Sequence, residues 1–120
     1  MVNAASGQSI CGRCQVADSF WTRGKGLLGR PGLAEGEGIL LLPGTSIHMF
    51  GMKFAIDVLF LTREDVITDL VADIGPGKAY VARGQQGKPF GALELAAGTI
   101  ERTGAKIGDK LVREPIVPGA

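Results

Sequence analysis

The sequence is short of the residues on which most catalytic and binding chemistry depends. One histidine, one tryptophan, one tyrosine and two cysteines stand in 120 residues. A single histidine rules out HExxH, and no serine or cysteine sits in a recognised nucleophile turn. Phosphate loops and dinucleotide fingerprints are also missing. Thirteen basic against twelve acidic side chains leave a formal charge of +1. That provides no field to hold a polyanion, so nucleic acid is not an expected partner. The longest apolar strand pattern, Ile56 to Leu61, already carries Asp57 and falls far short of the roughly 20 residues that span a bilayer. The opening residues MVNAASGQSI have neither a basic n-region nor an apolar h-region. We therefore expect a cytoplasmic protein, unless an exported precursor was trimmed.

What is abundant is glycine, 19 residues, with six prolines, and these cut the chain into short pieces. Short strands joined by tight turns follow from that composition. The length suits one domain, which we place at residues 1–114 with a tail at 115–120. Val2–Ala5 and Ser9–Val16 read as a first hairpin. Asp18 or Ser19 can cap a short helix reaching Leu28, which Gly29-Arg30-Pro31-Gly32 stops. Gly38–Leu42 reads as a buried strand. Phe54–Leu61 and Val66–Asp73 pair across Thr62-Arg63-Glu64-Asp65, and Gly91–Leu95 adds another strand. Thr99 caps a helix over Ile100–Thr103, closed by Gly104, and Leu111–Glu114 is the last strand. The expected fold is mainly β, a single-domain antiparallel sandwich or barrel with two short helices.

Cys11 and Cys14 are spaced CxxC, which raises a redox or a zinc reading. Zinc needs about four ligands, here both cysteines, His48 and one Asp or Glu. A thioredoxin-like pair would sit between a strand and a helix start. The surrounding Ile10 to Val16 fits a plain strand instead, so we read both as strand cysteines and expect no cofactor.

The chemically interesting residues concentrate between Gly44 and Leu61. Alternation along Phe54–Leu61 puts Ile56, Val58 and Phe60 on one face and Asp57, Leu59 and Leu61 on the other. Both faces are apolar, so the Asp57 carboxylate must be paired or hydrogen-bonded. The structural reading has it accept backbone N–H groups of the irregular segment Thr45–Lys53. The functional reading sets it in a cleft beside His48 and Lys53, as a ligand contact or an acid–base group. His48, flanked by Met49, Phe50 and Met52, suggests a shaped pocket. Trp21 is a candidate stacking residue, and Arg83 a candidate rim cation. Two functions compete: a binding or accessory module with a cleft near the His48 loop for a small polar ligand or peptide, its partner being that ligand or a protein, and a small hydrolytic enzyme using His48 and Asp57.

GLLGR at 26–30, EGEGILL at 35–41, IHMFGMKFAIDVLFL at 47–61 and LELAAGTIERTGAKIGDKL at 93–111 together resemble domain-of-unknown-function family 192, also called uncharacterised protein family 0127. Its members are small prokaryotic domains. The resemblance implies a sandwich or jelly-roll-like β-domain and carries no established activity. The family's hallmark positions fall on His48, Phe50, Met52, Lys53, Ile56, Asp57 and Phe60. Ala55 stands where the family often has proline, and many members carry an export signal.

Overall fold

The computed structural model describes residues 1–18, 27, 29–84 and 86–113. Along the chain run β1 (Val2–Asn3), β2 (Arg13–Ala17), β3 (Glu37–Leu41), β4 (Ser46–His48), β5 (Ile56–Leu61), β6 (Ile67–Ile74), β7 (Ala79–Val81), β8 (Gly91–Ala96), α1 (Thr99–Thr103) and β9 (Leu111–Val112). The fold is mainly β. Its centre is a five-stranded sheet in the order β2-β3-β8-β5-β6, accompanied by two-stranded ribbons β1-β9 and β4-β7.

Strand β5 lies between β8 and β6 and every residue of it is buried, which explains why both of its faces are apolar. Leu59 and Leu61 pack with Leu40, Leu93, Leu95, Ile10 and Leu111, and Ile100 of α1 packs against that cluster. We call this the helix face. Ile56, Val58 and Phe60 pack with Ile39, Ala92, Ile47 and Met49, with half-buried Met52 and Phe54 against them. This is the loop face. The period-2 assignment of the two faces made from the sequence is the arrangement found.

Other expectations are corrected. The sheet is mixed, because β2 and β3 run parallel. The long connection between them is what permits this, since parallel neighbours need a crossover and antiparallel ones need only a turn. The order leaves β2 and β6 at open edges, so the sheet does not close into a barrel. Among the described residues there is one helix, α1; the helix expected from Asp18 to Leu28 falls mostly outside them. So does the tail.

The first hairpin forms only as a turn. Asn3 donates to Gln8 O and Gly7 to Asn3 O, with a single Val2–Ser9 bridge. The flanking strands then leave for different partners, β1 for β9 and β2 for β3. Tyr80 belongs to β7, which pairs with β4 so that Ile47 lies opposite Tyr80.

The cysteines are not plain strand residues. Cys11 and Cys14 are joined by a disulfide. Cys11 is buried in the helix-face cluster and half-buried Cys14 packs against it. Gly38 makes room for this, because a Cβ there would stand 2.7 Å from Cys11 Sγ and 3.0 Å from Glu94 O. No group of three or more His, Cys, Asp or Glu among the described residues is placed to hold a metal ion. The ligand set of Cys11, Cys14 and His48 is therefore not assembled.

Candidate functional site

The Thr45–Lys53 segment is shaped by its own backbone. Met49 donates to Lys78 O, Gly77 to Met49 O, Met52 to Met49 O and Ala82 to Thr45 O. Alternation in β4 drops Ile47 into the loop-face core and turns His48 outward, where it is exposed. The His48 ring lies 5.5 Å from that of Phe50, which is 64% exposed. Lys53 is exposed and Met52 half-buried. Trp21 falls outside the described residues.

Asp57 points the other way, to the helix face. Its carboxylate does not hold the Thr45–Lys53 segment as expected. Oδ1 accepts the Asp73 N–H at 2.8 Å and Oδ2 accepts the Ile100 N–H at 2.8 Å. The first bond closes an irregularity, because the β5–β6 register slips between Ile56 and Val58 and Asp73 sits at φ +53. The second caps α1. Thr99, the expected cap, donates instead to Ala96 O, and the position before the helix is Gly98, which has no side chain to offer. A carboxylate from a strand 43 residues away in sequence does the work of a local cap. Gly104 closes the helix at φ +68, as expected. The sheet thus separates His48 from Asp57, and both Asp57 oxygens already have backbone partners.

Asp69 organises the other end. It is buried on β6 opposite Phe60 and accepts from the Thr68 and Tyr80 hydroxyls at 2.8 and 2.7 Å. The backbone N–H groups of Arg83 and Gly84 add bonds at 2.8 and 3.0 Å. Burial pushes its carboxyl up, but these four donors outweigh burial and hold it below the usual carboxylate range. Arg83 therefore enters through its backbone, and its side chain is exposed. An Asp69→Asn substitution exchanges an ionic acceptor for an amide and should cost about 2 kcal/mol at neutral pH. A depressed folded pKa stabilises above the unfolded value of 3.8 and is lost as pH falls through the folded one. Urea titrations at neutral and acid pH should therefore show the gap between wild type and variant closing in acid.

One side chain in the interior, its oxygens still in touch with solvent, has no such protein partner among the described residues. Six polar or charged residues are buried among the described residues: Asn3, Asp57, Thr68, Asp69, Glu94 and Thr99. Five of them are hydrogen-bonded. Glu94, 8% exposed, meets no donor among the described residues. It sits in β8 between Ile39 of β3 and Val58 of β5, so it faces the loop face with Ala92 while Leu93 and Leu95 face the helix. Burial pushes its carboxyl up to about 7. In the sequence it is one residue of the strand expected over Gly91–Leu95. The signal was there in GALELA, an acid set among apolar neighbours of both parities, the same pattern that singled out Asp57.

Comparisons with known proteins agree with this architecture. A protein of Thermococcus sibiricus, named UPF0127 protein, is 33% identical over 116 residues, which span 92% of this chain and 72% of that protein. The crystal structure of a protein of unknown function from Novosphingobium aromaticivorans superposes with a TM-score of 0.72 at 23% identity, over 92% of this chain and 89% of that one. A proposed transcription regulator from Sinorhizobium meliloti gives 0.71 at 26% identity, over 81% and 78%. The profile of DUF192, described as uncharacterized ACR, matches residues 1–113, and with that match the chain belongs to the DUF192 family.

Proposed function

We propose that the protein is a binding module that takes a small polar ligand on the loop face, through a hydrogen-bond donor or cationic group set against the Glu94 carboxylate. The observation that carries this reading is that Glu94, buried to 8% exposure, has no protein hydrogen-bond partner among the described residues, while its oxygens still touch solvent and so can be reached by a ligand. Burial disfavours the ionised form of this carboxyl, and a ligand would supply a donor in place of the water at its edge. Apolar walls are at hand, since Met52 and Phe54 pack on the same face. Perturbed carboxyls in apolar surroundings are where ligands and reacting groups are held.

Binding is a better reading than hydrolysis. The residues flanking Glu94 across the sheet are Ile39 and Val58, and neither can serve as a nucleophile. The regulator assignment of the Sinorhizobium meliloti neighbour is not carried over, because a net charge of +1 offers nucleic acid little attraction.

A thermal-shift panel of small amines, amides and polyols on wild type, Glu94→Gln and His48→Ala tests the reading. A compound at a hundred times its Kd should stabilise wild type and His48→Ala by about 2.7 kcal/mol and leave Glu94→Gln unmoved. Hits that stabilise Glu94→Gln as strongly as wild type would remove Glu94 from the site.

A further inference from the structure

We propose that the groove between the β5–β6 turn and the segment entering β8 is a second site, separate from Glu94, which binds a small carboxylate carried on a flat apolar body. The groove encloses about 330 Å³, between Thr62, Arg63 and Glu64 on one side and Gly87, Lys88, Pro89 and Phe90 on the other. That volume is in the range of small-molecule sites.

Its floor is an arginine laid on a ring. Arg63 Cζ stands 3.9 Å from the Phe90 ring centroid. Stacking fixes the guanidinium plane and leaves its N–H edge free, so the fork is ordered before any anion arrives. Other arginines are used differently: Arg30, Arg102 and Arg113 each pair with a carboxylate of the chain. Arg63 has no such pair among the described residues, although Glu64 is its neighbour in sequence. Lys88, exposed on the opposite wall, likewise has no carboxylate.

Both walls are fixed by backbone bonds. Thr62 Oγ1 accepts from the N–H groups of Glu64 and Val66 at 3.2 Å each, which holds the turn. Phe90 donates to Leu61 O and accepts from Gly44, which holds the ring from both sides of its peptide. Gly87 lies at φ +147, and a Cβ there would stand 2.8 Å from Thr62 Cγ2. Only glycine lets the second wall approach the turn this closely. Such a site has little ordering left to do on binding.

The ligand class follows from the charges. Arg63 and Lys88 against Glu64 leave the rim with one excess positive charge, which suits a monoanionic head. The guanidinium fork matches a planar carboxylate through two parallel hydrogen bonds. The half-buried rings of Phe90 and Pro89 offer an apolar surface to the rest of the ligand.

The test is an NMR titration of the full chain with benzoate, benzamide and phenyl phosphate. Benzoate should shift the Arg63 Nε–H and the Phe90 and Lys88 amides. Arg63→Lys, which keeps the charge and loses the fork and the stack, should weaken benzoate binding about tenfold or more. Glu94→Gln should leave it unchanged, so this site stands or falls independently of the loop face. Arg63 is exposed, and an unchanged melting temperature of Arg63→Lys establishes that the variant is folded. The proposal is overturned by benzamide binding as tightly as benzoate, by benzoate affinity that survives Arg63→Lys, or by shifts that avoid the groove. Phenyl phosphate binding more tightly than benzoate would overturn the assignment to a carboxylate.

Discussion

Asp57→Ala should lose about 4 kcal/mol of folding stability, a large share of the roughly 5–15 kcal/mol that a domain possesses. The substitution strands two backbone N–H groups, those of Asp73 and Ile100, whose acceptors are the two Asp57 oxygens. Each orphaned donor costs about 1–3 kcal/mol, more where the lost acceptor is charged. Asp57→Asn should fall between the two, because it keeps one acceptor oxygen and turns an NH₂ toward the other amide. Chemical denaturation gives the magnitude. Amide exchange gives the location, with protection lost first at Asp73 and along Ile100–Thr103. A loss below about 1 kcal/mol, or exchange that quickens evenly over the sheet, would show that Asp57 does not tie α1 to β5 and β6.

The second large effect is a dependence on pH that originates in Glu94. A rise of its carboxyl from 4.5 to about 7 in the folded chain corresponds to about 3 kcal/mol, at about 1.4 kcal/mol per unit. With the folded pKa above the unfolded one, the folded chain holds the proton more tightly. The stabilising contribution is therefore complete below 4.5 and is lost as pH rises through 7. Glu94→Gln has nothing to ionise at this position. Measured against it, wild type should lose about 3 kcal/mol between pH 4.5 and 8, with most of the change between 5 and 7. A ¹³C titration of the Glu94 carboxyl reads the same quantity directly. A midpoint near 4.5 would mean that the carboxylate is solvated or partnered, and the loop-face proposal would lose its supporting observation. A bound cationic ligand should lower the midpoint, because it favours the ionised form.

These two acids show where the sequence could be read and where it could not. Asp57 was found because alternation exposed it as an acid in a strand apolar on both sides, and its burial followed. Its partners did not follow. One belongs to an irregularity in strand pairing and the other to a helix 43 residues away, and neither leaves a trace in local pattern. Glu94 carried a similar signal, but a strand with one acid is ordinarily read as having that acid at the solvent. Only the packing over both faces of β8, which buries every residue of it, shows that this acid is largely covered. His48 was the reverse case. Its rarity drew attention, and the pairing of β4 with β7 turned it outward.

By itself the sequence determined the local facts: a mainly β chain, the β5–β6 hairpin and its two faces, the glycine that ends α1, the burial of Asp57, and the family. These depend on period, turn chemistry and resemblance, which near neighbours in the chain are enough to specify. Tertiary structure decided the parallel β2–β3 pair, the disulfide between Cys11 and Cys14, the backbone partners of Asp57 and Asp69, and the burial of Glu94. The physical reason is the same in each case. Which strand becomes central, and which donor meets which carboxylate, is fixed by contacts between segments far apart in sequence.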